Sequence, residues 1–443
     1  MTRVFRILTG VCVLVAAACL FRFYPGAKDR QDPLSVLLIT LDTTRADRLS
    51  PYGLMGAPMP HLERLAREGV VFDQAISVAP LTLPAHVSLF TGLLPPAHGV
   101  RDNADVALAD SHVTLAEVLR ARGFRTAAFV GSVVLDADRG LAQGFDQYHG
   151  VPRGAGPVSA HLQRRGDEVV SDAIRWLEGA GATPYLLWTH LYDPHAPYDA
   201  PEPFRSAHSD PYVAEIMFAD EQIGRLLDAL DRLHLTDRTI VIVAGDHGEG
   251  LGEHGEPAHG LLVYDSVLRV PLIVRAPTFS PRRTADTASL VDLLPTVLDL
   301  LKVQSPRTDG LSLVATMQGE PRRDIEAYAE SLYPLRFGAG AVHALRDGRF
   351  KLIDGAQPEL YDLERDPFEE RNIFAKRRAL GEAMRARVRA IAGPTNRRPD
   401  NRSSGDVPQE LRDRLAALGY VGHQATGPTK PPEKLIRHPR RRR

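Results

Sequence analysis

Three apolar runs end in polar residues whose types suit joint chemistry. The first, from Ser35, ends in Asp42-Thr43-Thr44-Arg45. The second, from Tyr185, ends in His190 and reaches Asp193 and His195. The third, from Thr239, ends in Gly245-Asp246-His247-Gly248-Glu249. Each end alone reads as a turn, because Asp and Gly are turn residues. Three such ends, all with Asp and two with His, point to one shared site. Asp42, Asp246 and His247 make an O,O,N donor set suited to a divalent cation. The histidine favours Zn²⁺ or Mn²⁺, with Ca²⁺ or Mg²⁺ still open, and one or two ions fit. A fourth element, Pro80 to Gly92, puts Thr82 just before Pro84, a residue favoured in a first helical turn, with Gly92 as the stop. Thr82 then either caps this helix or acts as a nucleophile at its N-terminus, where free amides and the dipole stabilise an anion. A threonine hydroxyl is a weak nucleophile at neutral pH, and metal coordination is one way to activate it.

These residues need a scaffold that brings strand ends together. The runs at 35–41, 125–130, 185–189, 239–244 and 271–275 are short, apolar and unalternating, as in strands buried on both faces. Helical spacing falls between them, at His61 to Gly69, Thr114 to Gly123 and Val213 to Leu233. The fold class expected is therefore α/β: a mostly parallel central sheet flanked by helices on both faces. Sites in such sheets sit beyond the carboxyl ends of the strands. From about Glu326 the pattern changes. Residues 341–345, an Asp-Gly turn and residues 350–353 predict a hairpin, and Lys376 to Ala392 a closing helix. This predicts a smaller C-terminal α+β subdomain (323–393) with a small antiparallel sheet, following a catalytic domain over 33–322.

The ordered motifs resemble the sulfatase family, within the alkaline phosphatase superfamily. Leu38 to Asp47 is similar to its first metal motif, Pro80 to Val100 to its nucleophile segment and His190 to Pro197 to its His-rich segment. Gly245 to Gly260 is similar to its second metal motif, and Glu359 to Asn372 to its C-terminal signature. The resemblance covers roughly residues 34 to 375. It implies a metal-dependent hydrolase of sulfate or phosphate (diester or phosphonate) esters. It implies that Asp42, Asp246, His247 and Thr82 hold the ion and that Thr82 forms a covalent ester. It also makes His195 and His259 candidates for protonating the leaving group, for holding the non-bridging oxygens, or for a second ion with Asp193. His190 is implied as a substrate contact.

The chain also departs from the family's usual pattern. The formylglycine motif C/S-x-P-x-R reads Thr82-Leu83-Pro84-Ala85-His86 here, and threonine cannot become formylglycine. His86 stands where the arginine would be, as a candidate substrate contact or a structural residue. The paired aspartates appear as Asp42-Thr43. Threonine at the nucleophile position resembles the nucleotide pyrophosphatase/phosphodiesterases and the phosphoethanolamine and phosphoglycerol transferases. The former carry a Pro-x-x-His-Gly-x-x-x-Asn run, matched by Pro95 to Asn103, which makes Asn103 a substrate-binding candidate. The alternatives are an envelope transferase, or a non-catalytic binding protein that keeps the fold.

Composition sets the remaining bounds. The 443 residues are 44% hydrophobic and 25% charged, enough to bury a sizeable core. With 54 Lys and Arg against 55 Asp and Glu, the chain is not a nucleic-acid coat. The substrate expected is a small-molecule, glycan or lipid ester. The two cysteines, Cys12 and Cys19, lie in an N-terminal apolar run, which excludes thiolate chemistry in the body. That run, Ile7 to Phe21, follows Arg3 and Arg6 and contains Ala16-Ala17-Ala18. It predicts a signal peptide or a membrane or lipid anchor over 1–24, and hence an exported, cell-envelope protein. Residues 394–443 read as a flexible tail. From Lys430 it holds seven basic residues and one acid, net +6, suited to anionic surfaces.

Overall fold

The structure, a computed structural model, describes residues 33–104, 106–152, 162–322 and 326–393. The expected export segment and basic tail lie outside these residues. No helix among the described residues is long and apolar enough to cross a membrane. From Leu34 onward the described residues fall in one unit.

The central sheet is built from β1 (Ser35–Leu41), β2 (Val70–Ile76), β3 (Arg125–Val130), β4 (Gln147–His149), β5 (Tyr185–Leu191), β6 (Thr239–Gly245), β7 (Arg269–Val270), β8 (Leu272–Arg275) and β9 (Arg282–Ser289). Its order is β4-β3-β5-β1-β6-β8-β2-β7, with β9 also paired to β2. β1 lies at the centre, parallel to β5 on one side and β6 on the other. β3 and β4 continue the parallel half, whereas β8 runs antiparallel to β6 and β2.

The apolar runs lack alternation because both faces are covered. Val36 and Leu38 of β1 enter one core, and Leu37, Ile39 and Leu41 enter the other. The first core is closed by α2 (Thr82–Thr91), α3 (Leu115–Arg120) and α6 (Leu293–Leu300). The second is closed by α1 (Pro60–Glu68), α4 (Gly166–Glu178) and α5 (Pro211–Arg232). The helix ends have local causes. Thr114 and Glu117 form a capping box at the start of α3, a feature worth about 1 kcal/mol. Gly92 ends α2 at φ +67°, a left-handed position that suits glycine.

The smaller sheet is antiparallel, in the order β10 (Glu326–Ser331), β11 (Val342–Asp347), β12 (Phe350–Asp354) and β13 (Glu359–Asp362). The hairpin strands run further than expected, leaving only Gly348 and Arg349 in the turn. One face packs on Val263, Val267 and Leu268; the other packs on Met384 and Val388 of α7 (Arg378–Ala392).

Candidate functional site

The parallel register places the site. Thr40 pairs with His190 and Leu41 with Gly245, so the next residues of β1 and β6 emerge side by side. Backbone bonds extend the ladder one step: Asp42 N–H donates to Leu191 O (2.9 Å) and Asp246 N–H to Leu41 O (3.2 Å). Asp42, His190, Asp246 and His247 therefore meet at the carboxyl edge of β5-β1-β6. All four are fully buried. His190 Nε2 lies 3.3 Å from Asp42 Oδ2. His247 Nε2 lies 3.8 Å from Asp42 Oδ1 and 3.6 Å from Asp246 Oδ2.

This cluster fits a divalent cation by its own chemistry. Both oxygens of Asp42 and Oδ2 of Asp246 are buried without a hydrogen-bond partner. Buried polar groups are otherwise nearly always paired, and leaving one unpaired is costly. His247 Nδ1 lies 3.0 Å from the Gly248 carbonyl, which can only accept, so the proton sits on Nδ1. The Nε2 lone pair then faces the carboxylates, the arrangement that readies an imidazole as a ligand. Burial pushes the Asp42 carboxyl up to about 6. Burial, aided by the Asp42 charge, pushes Asp246 up to about 7. Burial holds His247 and His190 down near 4, in the neutral form that binds metals.

A stability prediction follows, with a definite sign. Without an ion, Asp42 and Asp246 hold protons more tightly folded than unfolded. They therefore destabilise the fold increasingly as pH rises from the ordinary carboxylate range, about 4, toward about 7. A cation replaces those protons. The Tm gain on adding Mn²⁺ to chelator-treated protein is expected to grow between about pH 5 and about pH 7.5. The corresponding stabilisation should approach about 2.7 kcal/mol at a free concentration about 100 times Kd. Calorimetry that shows no gain, or one independent of pH, would remove the pair as ligands.

Thr82 opens α2 against this cluster, its Oγ1 3.3 Å from His247 Nε2. The N-cap is Leu81 and no side chain caps the helix, so the capping role considered for Thr82 is not the one it plays. Asn103 reaches the next residue, its Oδ1 accepting from Leu83 N–H (2.8 Å). Its buried Nδ2 has no partner, which leaves a donor beside Thr82.

The expectation that His86 replaces the motif's arginine meets a different geometry. His86 Nδ1 lies 2.8 Å from the Thr82 carbonyl, and Nε2 lies 3.0 Å from Thr40 Oγ1. Trp188 Nε1–H donates to the same hydroxyl (2.9 Å), so Thr40 donates onward to His86 Nε2. Both ring nitrogens are engaged. His86 braces the start of α2 from within the core.

His195 and His259 form the other wall, with ring centroids 5.1 Å apart, and His259 lies 4.6 Å from the His247 ring. His195 donates from Nδ1 to the Ala196 carbonyl (2.7 Å), leaving Nε2 without a partner. Burial holds His195 down near 3. Burial also disfavours charge on His259, but the adjacent Glu249 carboxylate outweighs it and raises the imidazole to about 8. Glu249 accepts from His259 Nδ1 (3.1 Å) and from Tyr198 OH (3.0 Å). The two histidines are thus driven apart, one neutral and one cationic, as suits an acceptor and a proton donor. Asp193 is not grouped with either histidine as a candidate metal-holding set: its Oδ1 accepts from Gly166 N–H at the start of α4 (2.9 Å), and its Oδ2 is buried without a partner beside the same glycine. His254 stacks on Tyr264 at 3.6 Å on an outer loop. Arg45 is held by Asp47 and Glu253, as a loop-fixing residue would be. A cavity of about 1100 Å³ beside Arg45, Glu253 and Tyr264 has neither Thr82 nor His259 in its walls and is separate from the cluster.

The mixed central sheet, covered by helices on both faces and carrying the buried cluster at its carboxyl edge, is a three-layer α/β fold. A profile of the family described as Sulfatase matches residues 35–303, and one described as "N-sulphoglucosamine sulphohydrolase, C-terminal" matches residues 252–391. The chain belongs to the sulfatase family. It is similar to an ulvan-active sulfatase of Formosa agariphila, 27% identical, covering 79% of this chain and 78% of the relative. It is similar to a choline-sulfatase of Rhizobium meliloti, 27% identical, covering 71% of this chain and 77% of the relative. Among solved structures it resembles a phosphonate monoester hydrolase of Agrobacterium radiobacter, with TM-score 0.69 and 24% identity, covering 81% and 95% of the two chains.

Proposed function

We propose that this chain hydrolyses an anionic phosphorus or sulfate ester through a covalent ester on Thr82. It is read as acting outside the cytoplasm, where the N-terminal segment would deliver it. One observation carries the reading: the Thr82 hydroxyl opens a helix 3.3 Å from His247, beside buried Asp42 and Asp246 oxygens without partners. Asp42, Asp246 and His247, with Thr82 Oγ1, would hold a divalent ion. Such an ion, when bound, supplies positive charge that acidifies the hydroxyl and neutralises the ester.

Thr82 Oγ1, its proton lost to solvent, attacks phosphorus or sulfur. The positive end of α2 and Asn103 Nδ2–H stabilise the oxygen charge that builds. His259, as imidazolium, gives its proton to the departing alcohol oxygen as that bond breaks. Neutral His259 then takes a proton from the water that attacks the Thr82 ester. The Thr82 oxygen leaves the central atom and takes a proton from solvent, so the acid product is released and both groups are restored. His195, neutral and protonated on Nδ1, offers Nε2 as an acceptor, and neutral His190 stands beside Asp42.

A plain threonine ester favours phosphorus. Formylglycine provides an aldehyde hydrate that can expel sulfate, and Thr82 has no such route. Its ester must be cleaved by a second attack at the central atom. On the soluble body from about residue 30, with Mn²⁺ or Zn²⁺ added, kcat/KM for an aryl phosphonate or phosphodiester should exceed that for the aryl sulfate by more than about 100-fold. That ratio corresponds to about 2.7 kcal/mol of discrimination. Preference for the sulfate would overturn the assignment to phosphorus and leave the covalent Thr82 step standing.

A further inference from the structure

Thr43 holds an unusual conformation beside the candidate ligands. Its φ is +47°, in the left-handed region, although it is β-branched and fully buried. That geometry is disfavoured for such a residue and persists only when its surroundings enforce it. It serves a purpose. Thr43 N–H donates to Asp246 Oδ1 (3.0 Å), an oxygen shared with His247 N–H (2.7 Å). These two bonds fix the carboxylate so that Oδ2, without a partner, faces His247 Nε2.

Two side chains hold this turn: the Thr44 hydroxyl donates to the Asp42 carbonyl (2.9 Å), and a phenol binds the segment that follows. Tyr212, near the start of α5, donates its hydroxyl to the Thr43 carbonyl (2.6 Å). The same oxygen accepts from Arg45 N–H (3.0 Å). A single buried atom therefore clamps both ends of the turn 43–45. The Tyr212 ring packs edge-on to Tyr198 (5.4 Å), whose own hydroxyl holds Glu249.

We propose that Tyr212 is a positioning residue that locks Thr43 left-handed and thereby aims Asp246 at the bound cation. The proposal rests on the reading of Asp42, Asp246 and His247 as cation ligands. Losing the phenol frees the Thr43 peptide to relax, its N–H leaves Asp246 and the carboxylate turns.

The test is Mn²⁺ titration of the chelator-treated full chain by calorimetry, well below every variant's Tm. Tyr212→Phe is expected to weaken Kd about 10–100-fold, the usual effect of removing a group that orients a metal ligand. Tyr185→Phe is the control for a lost buried phenol. Tyr185 bonds Thr239 Oγ1 (2.9 Å) at the far end of β5. It is expected to lower Tm and leave Kd unchanged. Thr43→Gly removes the conformational penalty, so in the Tyr212→Phe background it should return Kd to within about threefold of wild type. Wild-type affinity in Tyr212→Phe, equal weakening in Tyr185→Phe, or no rescue by glycine overturns the proposal. So does a crystal structure of Tyr212→Phe that keeps Thr43 at positive φ, whatever the metal does. Failure of the underlying reading looks different: the wild type itself binds no Mn²⁺, or Asp246→Asn binds it unchanged.

Discussion

Thr82→Ala is expected to lose turnover by about 10⁴-fold or more, with a Tm within a few degrees of wild type. The size follows from the role. Without Oγ1 at the start of α2 no covalent Thr82 ester forms. The small effect on stability follows from the contacts. The hydroxyl's polar neighbour is His247, and α2 draws its stability from Leu83, Val87, Leu89 and Phe90 in the core. Alanine is also the better helix former. Thr82→Ser, which keeps the oxygen and loses a methyl, should retain activity within about 100-fold, the rest going to looser orientation. Steady-state kinetics on the preferred aryl ester, paired with a melting curve, read both quantities. Near-wild-type activity in Thr82→Ala would remove the nucleophile. Equal loss in serine and alanine variants with intact Tm would mean that the methyl, not the oxygen, matters.

The meeting of Asp42, His190, Asp246 and His247 was legible because the strands that carry them are central. β1, β5 and β6 are covered on both faces, so each reads as an unbroken apolar run, and a polar residue at its end stands out. The outer strands leave weaker traces. β2 contains Asp73 and Gln74, and β9 reads Arg-Arg-Thr-Ala-Asp-Thr-Ala-Ser, so neither resembles a buried run. β9 is a strand because β2 pairs with it, a cause that lies more than 200 residues away in the chain. The supporting residues were hidden for the same reason. Tyr212 meets Arg45 across 167 positions, and Thr43 meets Asp246 across 203. Hydrogen bonds over such separations leave no local pattern. His86 shows the converse: its place after Thr82-Leu83-Pro84 suggests a substrate contact, yet Thr40 of β1 engages its ring, and Trp188 of β5 holds that hydroxyl in place. Glu249 sat within the recognised Gly-Asp-His-Gly-Glu run. Only the fold of the 249–259 loop, with Gly250 N–H donating to Ala258 O, shows that it answers to His259.

That pairing gives the other large effect. His259→Asn is expected to lower kcat/KM by about 10²–10⁴-fold on an alkyl ester, whose poor leaving group needs a proton. On a nitrophenyl ester, whose leaving group departs as a stable anion, the loss should be far smaller. The contrast separates proton donation from mere support, because a residue that only shaped the site would penalise both substrates alike. The pH profile adds a sign. Burial disfavours the imidazolium, and Glu249 overcomes that and raises His259 to about 8. Activity that needs the imidazolium is present below the His259 pKa of the cation-loaded protein, which the neighbouring positive charge lowers, and is lost above it. Glu249→Gln removes the opposing charge, so the folded pKa falls and the alkaline limb on the alkyl ester should move down by about one pH unit or more. The limb on the nitrophenyl ester should not follow. An alkaline limb that stays put in Glu249→Gln, or moves equally for both esters, would assign the proton to another donor and leave Glu249 and His259 as a structural pair beneath His247.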